Sequence, residues 1–311
     1  MSFTSEIKQE ISYNELKPCC ERAELSALVQ LTSSLTFSSR GLTLKMRSEN
    51  PTTARRIMVL LKNVYDDIET ELMVEKKTNL RKNNVYVVNV LNDPRNILED
   101  LGLYNDKGLL DYPVFSIVAK DCCARAYLAG TFLAFGSCNS PNKTNYHLEV
   151  AVMSENHANF IAKLVDRFDL GAKISKRRNK FVVYLKKADA ISDFLKCVGA
   201  QEAVMNFENT RISRDFKNNL TRLNNCDIAN EMKSIQAAHE QINYMQTIFS
   251  SGKYDDLNDK LKIIIDLRMK HQDYSLNELA DAYYEQTGET ISKSGIKHRL
   301  DKIEAIAKEL S

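Results

Sequence analysis

The stretches CCERAEL at residues 19–25 and CCARAYL at residues 122–128 decide the fold, because they agree at five of seven positions at a single offset of 103 residues. Self-similarity at a fixed offset means one supersecondary unit used twice. Working outward, further matches follow in the same order: SEN at 48–50 recurs at 154–156, RKNN at 81–84 is echoed by RRNK at 177–180, and ILEDLG at 97–102 by FLKCVG at 194–199. The offset drifts by a few residues only, the mark of short loop insertions.

Within each copy the hydrophobic period changes in the same sequence. Leu25, Leu28, Val29 and Thr32 share a helical face, after which residues 35–46 and 146–152 alternate as hairpin strands around Ser39-Arg40-Gly41 and Pro141-Asn142. Helices are predicted next over 51–65 and 155–168, then strand pairs at 69–75 with 85–91 and 172–175 with 180–185. A closing helix follows, announced in the first copy by the N-cap acid Asp93 before Pro94. Each copy reads αββαββα. The chain is therefore expected to be α+β, with residues 1–205 as a two-repeat domain (repeats about 19–102 and 122–199). A helical linker at 206–256 and an all-α domain at 257–311 follow.

Composition sets the bounds. With 43% apolar and 27% charged residues, the 311-residue chain is globular and long enough for two cores. A net charge of +2 decides little, since nucleic-acid binding depends on where the cations lie. The first ten residues are polar and acidic where an export signal needs an apolar run, and no apolar run approaches spanning length, so a cytoplasmic location without a membrane partner is expected. The seven cysteines should then be reduced. The pairs Cys19-Cys20 and Cys122-Cys123 invite a zinc reading, but neighbours in sequence cannot easily ligate one ion, and no C-x-x-C or nearby His pair completes a tetrahedral site. They read as small helix-packing residues, with no metal and no cofactor expected.

A duplicated αββαββα unit opening on a small-residue helix resembles the LAGLIDADG homing-endonuclease fold. LAGTFLAFG at 128–136 matches the motif at Leu128, Ala129, Gly130, Ala134 and Gly136, with its acidic position falling on Phe135; LSALVQLTS at 25–33 matches more weakly and puts Thr32 there. The resemblance implies two packed motif helices, each delivering a carboxylate to metal ions at a scissile phosphate. Hard cations need oxygen ligands, and Phe135 supplies none. Neither 25–48 nor 122–148 contains an Asp or Glu that could substitute, so no catalytic residue and no enzymatic activity are expected. The strand regions keep cations, among them Arg40, Lys45, Arg47, Lys77, Arg81, Lys82, Lys173, Lys176, Arg177, Arg178 and Lys180, which would either neutralise phosphates or form an ordinary solvated face.

The C-terminal segment is more specific. Ser275 and Glu278 form a capping-box pair, Thr287-Gly288-Glu289-Thr290 makes a turn, and Ser292 caps SKSGIKHRLDKIEAIAKEL, whose Ile296, Leu300, Ile303 and Ile306 form the buried stripe. This is a helix-turn-helix. Lys293, Ser294, Lys297 and His298 are expected at base edges and Arg299 and Lys302 at phosphate, and Ser275 and Ser292 at the two helix starts are expected among the DNA-binding residues too. Arg177, Arg178, Arg211, Arg214 and Arg222 are further candidates for phosphate contacts, while Asn225, Asp227 and Asn230 are expected to cap a helix beginning at Asp227.

Taken with FENTRISRDFKNNLTRLNNCDIANEMKSIQAAHEQI at 207–242 and SKSGIKHRL at 292–300, the whole chain resembles the WhiA family of bacterial regulators. That resemblance implies a sequence-specific DNA-binding transcriptional regulator of cell division and chromosome segregation, with sporulation in some relatives. It implies a nuclease-like domain without activity, promoter DNA as partner and a nucleoid-associated location. Division or segregation proteins or RNA polymerase are the protein partners it suggests. A scaffold acting through the N-terminal domain is the alternative, and a working homing endonuclease a further one. Lys297 stands where Asn is expected and Asp301 where a basic residue is, so operator and affinity should differ from the relatives.

Overall fold

A computed structural model describes residues 2–38, 41–76 and 84–310. Helix α1 (Phe3–Tyr13) comes first, followed by α2 (Pro18–Thr32), β1 (Ser33–Ser38), β2 (Gly41–Ser48), α3 (Pro51–Val64), β3 (Thr70–Lys76), β4 (Asn84–Val90) and α4 (Pro94–Asp100). A small hairpin, β5 (Tyr104–Asn105) with β6 (Gly108–Leu109), and a 3-10 turn at Phe115–Val118 lead into the second copy. That copy consists of α5 (Asp121–Phe135), β7 (Gly136–Cys138), β8 (Leu148–Val152), α6 (Glu155–Asp166), β9 (Lys173–Arg177), β10 (Lys180–Leu185) and α7 (Ala188–Cys197). The αββαββα order holds in both. The sheets share one antiparallel order, β1-β2-β4-β3 and β7-β8-β10-β9. Ser39 and Arg40 of the expected turn, and Lys77, Arg81 and Lys82, lie outside the described residues.

Local chemistry explains the helix starts. Proline occupies the first turn of α2, α3 and α4, where its missing N–H costs no hydrogen bond, and Asn50 Oδ1 accepts the Thr52 N–H at 2.9 Å to cap α3. Asp93 stands at the start of α4 as expected but bonds Asn96 Nδ2 at 2.6 Å instead of a helix N–H, with a left-handed φ of 50°.

Helices α2 and α5 lie at the centre of one continuous core and pack on each other. Their repeat-equivalent positions meet. A Cβ on Gly130 would stand 2.5 Å from the Glu24 carbonyl oxygen and 2.8 Å from the Cβ of Ala27, the residue equivalent to Gly130. One of the two positions that differ between CCERAEL and CCARAYL is residue 24 in the first copy and 127 in the second, and there each copy carries its own buried polar pair. Glu24 is bound by Arg56 of α3, Nε at 2.7 Å, and Arg56 also donates to Ser12 O at 3.1 Å; Tyr127 Oη lies 2.8 Å from His157 Nε2 of α6. Burial raises the Glu24 carboxyl despite the guanidinium, and lowers His157 to about 4.

The chain divides into two units, Met1–Arg214 and Asp215–Ser311. Helix α8 (Gln201–Ser250) runs through that boundary, so the expected helix start at Asp227 is corrected. Asn225, Asp227 and Asn230 are exposed in mid-helix and cap nothing; a short polar cluster resembles a cap signal when its flanks are polar too. The second unit then adds α9 (Asp259–Lys270), α10 (Leu276–Thr287) and α11 (Lys293–Glu309). Among the described residues, no helix is long and apolar enough to cross a membrane.

Candidate nucleic-acid interface

The second unit is built around its own core. Met245 and Ile248 from the end of α8, Leu261, Ile264 and Ile265 of α9, Leu279 and Tyr283 of α10, and Ile296, Leu300, Ile303 and Ala307 of α11 are buried together, with Ile306 half-buried at its edge. Both ends of the α10–α11 connection are fixed by local bonds. Ser275 Oγ accepts the Glu278 N–H at 3.3 Å, while the Ser275 N–H donates to Glu278 Oε2 at 2.7 Å, which holds that carboxyl below its usual range. Gly288 closes α10 at φ 74°, a left-handed conformation that favours glycine, and Ser292 Oγ accepts the Gly295 N–H at 3.2 Å to open α11. Ser275 and Ser292 are thus occupied as caps that aim the helices.

With its apolar stripe buried, α11 turns Lys293, Ser294, Lys297, His298 and Lys302 to solvent. Asp301 is exposed on the same face, one helical turn beyond Lys297. Arg299 is different: it is half-buried, its guanidinium 4.8 Å from the centre of the Tyr283 ring, so it ties α11 to α10. Glu278, Asp281 and Glu285 are exposed on α10, so that helix presents acidic groups where α11 presents basic ones.

Sequence reasoning missed Arg268. It is 2% exposed, and its Nη1 donates to the Tyr274 carbonyl at 2.5 Å and the Gln272 carbonyl at 3.4 Å. It therefore sets the loop that presents the start of α10. The signal was available, because Leu261, Ile264, Ile265 and Arg268 share one helical spacing, and an arginine on an apolar face needs buried acceptors.

In the first unit the ends of the motif helices carry no acid. Thr32 Oγ1 donates back to the Leu28 carbonyl at 2.6 Å, and Phe135 is 46% exposed. Neither offers a carboxylate to a hard cation. Several candidate phosphate contacts have intramolecular partners instead. Arg177 pairs with Glu149 at 2.9 Å and Arg211 with Asp189 at 2.5 Å. Arg214 stacks 4.4 Å from the Tyr146 ring centre and donates to the Lys143 carbonyl at 2.8 Å, holding the loop before β8. Arg178 and Arg222 are exposed. A count of basic residues cannot separate paired from free ones, which is why the sequence grouped all five.

Family models match in chain order: the WhiA N-terminal LAGLIDADG-like domain over residues 18–104, the WhiA LAGLIDADG-like domain over 124–217 and the WhiA C-terminal HTH domain over 220–307. The chain is 44% identical over 311 residues to a probable cell division protein WhiA of Bacillus cereus (strain G9842), covering 100% of this chain and 97% of that one. Identity and coverage are the same for the probable cell division protein WhiA of Bacillus anthracis (strain CDC 684 / NRRL 3495). Among solved structures, full-length DUF199/WhiA from Thermatoga maritima superposes over 100% of this chain and 99% of its own at a TM-score of 0.62 and 22% identity, a likeness of fold.

Proposed function

The chain belongs to the WhiA family, and from that premise we propose that it is a sequence-specific DNA-binding regulator of bacterial cell division that acts on transcription and has no nuclease activity. The supporting observation is the face of α11, where Lys293, Ser294, Lys297, His298 and Lys302 stand exposed on a helix opened by the Ser292 cap and seated on a separate core. A rigid helix with polar and basic groups near its start is what the major groove accepts. In this reading Lys293, Ser294, Lys297 and His298 meet base edges and Lys302 meets phosphate, while Arg299 orients the helix through Tyr283. Chromosome segregation, and sporulation where it occurs, would follow from the genes occupied. The protein would lie on promoter DNA, hence with the nucleoid. Thr32 and Phe135 in place of carboxylates favour binding without cleavage.

Genome-wide occupancy of the intact chain tests this, compared with a Lys293→Ala/Lys297→Ala variant. Discrete peaks near promoters that vanish in the variant are expected. Occupancy no higher than background, or reproducible Mg²⁺-dependent cleavage of genomic DNA by the purified chain, would remove the reading.

A further inference from the structure

The first turns of α2 and α5 bring together side chains that the sequence separates by a hundred residues. The Sγ atoms of Cys19, Cys20, Cys122 and Cys123 all lie within 4.8 Å of one another. The vicinal pairs stand at 4.0 Å and 3.9 Å, and Cys123 Sγ approaches the Cys19 carbonyl at 3.5 Å. The sequence argument against zinc was that neighbouring cysteines cannot complete a tetrahedron. Repeat-equivalent positions of α2 and α5 face each other, so two incomplete pairs become four donors.

We propose that Cys19, Cys20, Cys122 and Cys123 form a tetrahedral four-thiolate site for a soft d10 cation of the Zn²⁺ kind, binding the start of α2 to the start of α5. A tetrahedron with metal–sulfur bonds of about 2.3 Å has sulfur–sulfur edges of about 3.8 Å. Both vicinal pairs are near that edge already, and the remaining pairs need contraction by about 1 Å at most, within reach of rotamer adjustment. The donor set contains no hard oxygen, so thiophilic ions are selected over Mg²⁺ or Ca²⁺. All four cysteines sit in the first turns of 15-residue helices, so each vicinal pair is presented from a fixed helical backbone. An ion can enter, since Cys122 is exposed, and Cys20 and Cys122 line an open groove of about 440 Å³. The site lies at the end of the motif helices opposite Thr32 and Phe135, so it is independent of the lost carboxylate positions.

The test is titration of the intact, reduced, metal-stripped chain with Co²⁺. One equivalent should give the intense red d–d absorption and the thiolate charge-transfer band of a tetrahedral sulfur site, and Zn²⁺ should displace it. Cys122→Ser, at an exposed position, should keep the helical circular dichroism yet lose the charge-transfer intensity and weaken binding by more than the roughly tenfold that outer-shell changes cost. Cys226→Ser should bind as the parent chain does. The proposal is overturned if the reduced, folded chain takes up no more Co²⁺ or Zn²⁺ than Cys122→Ser. Weak octahedral absorption, or a disulfide between the pairs in protein that takes up no metal once reduced, has the same consequence.

Discussion

At the scale of single residues, Lys297 and Asp301 are opposed. Both are exposed on α11 four positions apart, so on the function proposed above they would face one stretch of DNA. A lysine on a base edge contributes about 1–3 kcal/mol of discrimination, so Lys297→Ala should weaken operator binding about 5- to 150-fold and bring it closer to nonspecific binding. Asp301 repels phosphate. Asp301→Asn should tighten binding to any DNA by up to about 1 kcal/mol, an effect that fades as salt rises. Fluorescence anisotropy at two salt concentrations measures both, and an unchanged Lys297→Ala would place recognition elsewhere. In the first unit, His157 is 3% exposed and its pKa falls from 6.5 to about 4 through burial, with the charge of Asp111 opposing. A depressed pKa means that the unfolded chain takes the proton first. The stability this neutral imidazole represents is complete above pH 6.5 and disappears as pH falls to about 4, amounting to about 3 kcal/mol. Urea unfolding of the first unit should lose that much between pH 7 and 4, and His157→Gln should flatten the dependence.

At the scale of elements, the α2–α5 crossing depends on Gly130. Substitution by alanine gains up to about 1 kcal/mol of helix propensity, but the new methyl meets the backbone oxygen of Glu24 at 2.5 Å and the methyl of Ala27 at 2.8 Å. Neither neighbour is the free end of a flexible chain. Overpacking of about 1–3 kcal/mol should prevail, and Gly130→Ala should lower the urea midpoint; a raised midpoint would show the helices can part. The crossing was legible in the sequence, through the repeat and the small residues of LAGTFLAFG, as were the serine caps of α10 and α11. Other elements were hidden for physical reasons. Helix α8 has polar surroundings through its middle, and its apolar residues Ile212, Phe216, Leu220 and Leu223 are exposed, so no buried stripe marked it as one helix. Helix α1 did carry a signal, Phe3, Ile7 and Ile11 at four-residue spacing, masked by the charges between them. The cysteine cluster was not legible, because it depends on how two helices meet and not on either alone.

At the scale of the whole molecule, 43 basic and 41 acidic residues nearly cancel, so DNA affinity depends on which cations remain unpaired. In the first unit Arg47 pairs with Glu75 at 3.3 Å, Arg177 with Glu149 at 2.9 Å and Arg211 with Asp189 at 2.5 Å, and each would have to break a bond to reach phosphate. On α11, Lys293, Lys297 and Lys302 are exposed. Each phosphate contact contributes about 0.9 to the slope of log affinity against log salt. In the intact chain, Lys302→Ala should therefore reduce that slope by about 0.9 and weaken binding most at low salt. Arg177→Ala/Arg211→Ala should leave it nearly unchanged. Equilibrium binding to one operator duplex over a salt series separates the two, and the reverse ranking would move the electrostatic footprint from α11 to the repeat domain.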